Sequence, residues 1–108
     1  MDSLNTVYQE FRIGERSWSN FVASCYTFID RTLTVYFHID RDERGETIAE
    51  FYPRLRILTE RYEERGVGFE TYLSISVRYF FQSRCRRMRE RQYHEVSVAE
   101  RRESVFIT

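Results

Sequence analysis

The stretch FETYLSISVRYFFQSRCRRMRER, from Phe69 to Arg91, decides how the chain folds. Phe69, Tyr72, Leu73, Ser76, Val77 and Phe80 fall at i, i+3, i+4, i+7, i+8 and i+11, the spacing that puts side chains on one face of an α-helix. Glu70 stands near its start and Arg86, Arg87, Arg89 and Arg91 near its end, an order of charge that the helix dipole favours. At 1.5 Å per residue this helix is about 35 Å long. After Phe81 its only apolar residues are Cys85 and Met88, so its last third is expected to project beyond the core.

Upstream, the same period recurs. Leu4, Val7, Tyr8 and Phe11 make a short stripe, with Ser3 placed to cap its start and Gly14 to end it. A second helix opens at Ser17 or Ser19 and carries Phe21, Cys25, Phe28, Ile29, Thr32, Leu33 and Tyr36. Val22, Val35 and Ile39 widen its apolar arc, which predicts burial on two sides. Asp40-Arg41-Asp42-Glu43-Arg44-Gly45 reads as a polar turn. A third helix follows with Ile48, Phe51, Tyr52, Leu55, Leu58 and Tyr62 on one face, and Pro53 inside it predicts a kink or break near Ala49–Tyr52. Gly66 and Gly68 stop this element.

Periodicity thus gives an all-α fold, a compact bundle of four or five helices. Residues 1–95 form one helical domain. Residues 96–108 form a tail in which Ser97-Val98-Ala99-Glu100 matches a capping box for a short last helix. Val105, Phe106 and Ile107 either dock on the body or belong to a partner interface.

Composition narrows the classes. The 108 residues are 42% hydrophobic and 17% aromatic, with one Pro and four Gly, which excludes disordered and collagen-like chains. Cys25 and Cys85 make no disulfide framework and no metal spacing, and they read as buried thiols of a cytoplasmic protein. The N-terminus shows no signal-peptide pattern, and no apolar run is long enough to span a membrane. His38 and His94 stand alone. Asp40/Asp42 and Glu63/Glu64 sit at turns, and Gly66-Val67-Gly68 lacks the pattern of a phosphate loop. The expectation is a protein without catalytic residues, metal or cofactor.

The net charge of zero conceals a polarity. Every basic residue is Arg, and residues 78–91 hold Arg78, Arg84, Arg86, Arg87, Arg89 and Arg91 against Glu90 alone. Residues 1–65 hold nine Arg against twelve acids. A dense arginine tract is the footprint of a phosphate backbone, and the rings beside it suit unpaired bases. Tyr72 and Phe80 lie on the inward stripe, whereas Tyr79 and Phe81 flank it and are the better stacking candidates. Arg84, Arg87 and Arg91 share one helix face. The alternative is a solvated helix end that pairs with the acidic helices.

One resemblance bears on these residues. Glu46-Thr47-Ile48-Ala49-Glu50-Phe51-Tyr52-Pro53-Arg54-Leu55, then Tyr62-Glu63-Glu64-Arg65-Gly66, Phe69-Glu70-Thr71-Tyr72-Leu73, Val77-Arg78-Tyr79 and Ser83-Arg84-Cys85-Arg86-Arg87 follow a known order. They resemble the core-binding, promoter-melting domain of bacterial sigma factors, particularly the small extracytoplasmic-function kind, over residues 18–91. Ala49, Arg56, Tyr79 and Ser83 stand where that family has Gln, Trp, Asn and Asp, and Pro53 is foreign to its helix. The resemblance implies a surface at Glu46, Glu50, Arg54 and Arg56 for a coiled coil of core RNA polymerase. It also implies a surface from Tyr72 to Arg91 for promoter DNA, partly single-stranded. The alternative it leaves open is a derivative that acts only as a protein–protein adaptor or regulator, without DNA binding, with a second copy or an anti-sigma-like regulator among its partners.

Overall fold

In a computed structural model the backbone is described for residues 3–107 and the side chains for residues 3–93. Four helices follow one another: α1, Leu4–Arg12; α2, Trp18–Phe37; α3, Arg41–Arg61; and α4, Phe69–Ile107. The all-α bundle is as expected, at the lower of the two helix numbers.

Local chemistry sets most boundaries. The hydroxyl of Ser3 accepts from the Thr6 N–H and starts α1, and that of Ser17 accepts from the Asn20 N–H and starts α2. Beyond α1, Gly14 adopts φ +84°. Its N–H donates to the Phe11 carbonyl and the Glu15 N–H to that of Glu10, so the loop returns two bonds to the helix end. His38 closes α2 in the left-handed region at φ 52°. The stretch read as a polar turn is instead the first turn of α3. The Asp40 carboxylate accepts from the Glu43 N–H at 2.8 Å, and Asp42 and Glu43 lie where the dipole favours acids. The expected break at Pro53 does not occur: α3 runs through it, with buried Phe51 and Leu55 anchoring the helix on both sides. The expected separate tail helix is also absent, because α4 continues unbroken to Ile107. Residues 92–107 hold no Gly or Pro to end it. The side chains of Val105, Phe106 and Ile107 lie outside the described residues.

The core is aromatic. Phe21, Phe51 and Phe69 are fully buried with Ile29, Leu33, Leu55, Leu73 and Val77. Tyr8 stacks on Phe69 at 4.5 Å and Phe11 on Phe21 at 4.7 Å, which fastens α1 and α2 to the start of α4. Val35 and Tyr36 are exposed, so the two-sided burial expected of α2 does not reach its last turn. At 1.5 Å per residue, the 39 residues of α4 reach about 58 Å. Of the third expected to project, Arg84 and Cys85 still pack on the bundle, and from Arg86 onward the described side chains are exposed. Among the described residues no helix is long and apolar enough to cross a membrane.

Candidate nucleic-acid interface

The arginine tract divides into a buried and an exposed part. Arg84 is only 6% exposed. Its Nε donates to Glu50 Oε2 at 2.9 Å, Nη2 lies 3.3 Å from Glu46 Oε2, and Nη1 lies 3.7 Å from Glu43 Oε1. Nη1 also reaches Met88 Sδ at 3.4 Å. The hydrogen bond to Glu50 holds the guanidinium pKa above its ordinary value against the cost of burial, and the charges of Glu50, Glu43 and Glu46 add to it. Arg84 therefore clamps α4 to α3 and is not open to a phosphate, contrary to its expected role. The face expected of Arg84, Arg87 and Arg91 is lost with it.

Phe81 likewise departs from its expected stacking role. It is buried, with its ring 4.5 Å from that of Phe37, so it packs α4 on the end of α2 and has no face left for a base. Phe80 is buried against Phe51, as its stripe required. Tyr72 lies at the rim, half in contact with Tyr62, and not in the core. The Arg78 guanidinium carbon lies 4.5 Å from the centre of the Tyr36 ring, a cation–π contact between α4 and α2.

Part of what remains exposed forms one line. Tyr79 is 72% exposed. With Gln82, Ser83, Arg86 and Arg89 it lines an open groove of about 360 Å³. These positions follow i, i+3, i+4, i+7 and i+10, so α4 alone builds the groove. Arg86, Arg87, Arg89 and Arg91 are all exposed, and none of them has an ion-pair partner among the described residues. The groove thus presents a phenol ring, an amide, a hydroxyl and two guanidinium groups to solvent. That set can stack a base, bond its edge and neutralise phosphates.

On α3, the residues that the sigma resemblance assigned to polymerase are partly engaged within the chain. Glu46 and Glu50 each turn a carboxylate oxygen to Arg84, though their side chains stay 69% and 52% exposed. The Arg54 guanidinium lies 5.3 Å over the Phe80 ring. Arg56 is exposed and sits 3.9 Å from Glu60, a pair of little energetic weight at the surface.

Tyr93 was missed at the sequence level. It is 75% exposed, and the signal that could have found it was its distance of fourteen residues from Tyr79, four helical turns along one face. No protein-family model, curated protein or solved structure matches the chain.

Proposed function

We propose that the chain is a sigma-like transcription domain. It holds partly single-stranded promoter DNA on the exposed face of α4 and docks core RNA polymerase through α3. The observation that supports the DNA half is the groove of Tyr79, Gln82, Ser83, Arg86 and Arg89, with its ring and its two guanidinium groups on one side of one helix. Single strands are bound by this combination: bases stack on rings, and phosphates lie against arginines. Duplex DNA hides its base faces and gains only the phosphate contacts. The polymerase half rests on the resemblance of residues 46–56 to the family's docking helix. With Arg84 drawn into the bundle, α3 still offers a partner helix the exposed Arg54 and Arg56 and the solvent-facing sides of Glu46 and Glu50.

One observation favours a second reading, a regulator or adaptor that binds only proteins. Tyr72, Ile75 and Tyr79 make an exposed apolar line at helical spacing, which suits a partner helix as well as bases. Immobilised core RNA polymerase and a labelled AT-rich single strand separate the readings. The proposal expects polymerase to retain the chain, and the chain to shift the strand in a gel at low ionic strength, with the shift fading as salt rises. Capture without a shift supports the protein-only reading, and neither capture nor shift overturns the sigma-like one.

A further inference from the structure

Resting on that reading, we infer that α4 carries a second stacking platform at Tyr93, so that one strand is held across two rings with arginines between them. Tyr79 and Tyr93 are the two most exposed large hydrophobic side chains described, at 72% and 75%. Tyr79 stands on the solvent side of α4 with the core residues Val77, Phe80 and Phe81 turned the other way, whereas Tyr93 lies in the stretch from Arg86 to Tyr93 where every side chain is exposed.

Their spacing is the second observation. Tyr79, Arg86 and Tyr93 are separated by seven residues each, two turns at a time, and so recur within about 40° of one line along α4. The rise between the rings is about 21 Å, with the Arg86 guanidinium midway and Arg89 one turn further on. Ring, guanidinium, ring is the alternation that a strand of bases and phosphates presents. At the stacked rise of about 3.4 Å per nucleotide, the rings lie about six steps apart, and fewer along a stretched strand. At the stacked rise a strand of four nucleotides spans about 10 Å and falls short of both rings, and one of twelve reaches them. Glu90 lies on the same line and is the one acid of the stretch, so it opposes phosphates there. Tyr93 lies beyond Arg91, where the sigma resemblance stops, so the family pattern does not supply this platform.

Fluorescence anisotropy with the full chain and labelled oligothymidines of four and twelve nucleotides tests the inference. Tyr93→Ala should weaken binding of the twelve-mer about 5- to 100-fold and change that of the four-mer less than about 2-fold. Tyr93→Phe should keep the wild-type affinity, because the ring stays. Glu90→Gln should tighten the twelve-mer. The thermal melt checks that Tyr93→Ala folds as wild type does. If Tyr93→Ala binds the twelve-mer like wild type while Tyr79→Ala does not, the second platform is wrong and the nucleic-acid reading stands. If Tyr93→Ala weakens both lengths equally, the two-ring track is likewise wrong. If wild type binds neither oligonucleotide at low salt, the underlying reading fails too.

Discussion

Arg84 of α4 donates its Nε–H to Glu50 of α3 across 2.9 Å, and this pair centres the polar join between the two helices. Glu43, Glu46 and Glu50 stand at i, i+3 and i+7, so one face of α3 presents three carboxylates to a single buried guanidinium. The arginine that looked most like part of a phosphate-binding face is thereby a structural residue. In the proposed reading, the phosphate contacts are assigned to its exposed neighbours, Arg86 and Arg89.

Replacing Arg84 with Met should lower stability by about 1–3 kcal/mol. A buried pair broken on one side costs more than that when both partners are buried, but here the three glutamates are partly exposed and water can hydrate them. Thermal denaturation should show the loss. The same variant should bind single-stranded DNA with an unchanged salt dependence. A flattened salt dependence with an intact melt would reverse the assignment.

Phe81→Ala and Tyr79→Ala should behave oppositely although the residues are two apart. Phe81 is buried against Phe37, and its truncation should cost about 3–5 kcal/mol. Tyr79 is exposed, so its truncation should leave stability within about 0.5 kcal/mol and weaken single-strand binding by about 1–3 kcal/mol. Chemical denaturation and a binding titration on the same samples decide both.

The starts of α1 and α4 cap one another, which yields a third prediction. Asn5 Oδ1 accepts from the Glu70 N–H at 2.9 Å, and Glu70 Oε2 accepts from the Leu4 N–H at 3.1 Å. Asn5→Ala should cost about 1 kcal/mol. Gly68→Ala should cost a similar amount, because a Cβ there would meet Asn5 Oδ1 at 2.9 Å and push the cap away. The double variant should then cost little more than either alone, since both remove the same bond.

Stability should fall in alkali. Burial pushes the Cys25 thiol up to about 12, and burial raises the phenols of Tyr8, Tyr26 and Tyr62 as well. Each group keeps its proton longer when folded than when unfolded. Its contribution is therefore complete below the unfolded pKa and is lost as pH rises toward the folded one. The melting temperature should be flat near pH 7 and decline from about pH 9 upward. A flat profile up to pH 11 would contradict the burial of these groups.

The inward stripe of α4 was legible because Phe69, Leu73, Val77 and Phe80 obey a simple period. Arg84 extends that line by one more turn, so its position was legible also. Its partners were not, because a single sequence does not reveal which turn of α3 faces which turn of α4. The same missing register hid the contact of Phe81 with Phe37. Asp40 was mistaken for a turn residue because a cap and a turn draw on the same residue types. Pro53 misled because its local cost is plain in sequence, whereas the burial of Phe51 and Leu55 that outweighs it is tertiary. Of the groove, Tyr79 and the arginines were visible from composition and spacing, and their separation from Arg84 emerged only with the packing.

The most direct test of the central claim is the salt dependence of single-strand binding, measured by anisotropy for wild type and for the double variant Arg86→Ala/Arg89→Ala. Two phosphate contacts in the groove predict a log–log slope of about −1.4 for wild type. The double variant should bind more weakly to every sequence and lose most of that slope, with its thermal melt unchanged. A wild type that binds without salt dependence, or a double variant that matches it at every salt concentration, would contradict the claim that the exposed face of α4 receives a nucleic-acid strand.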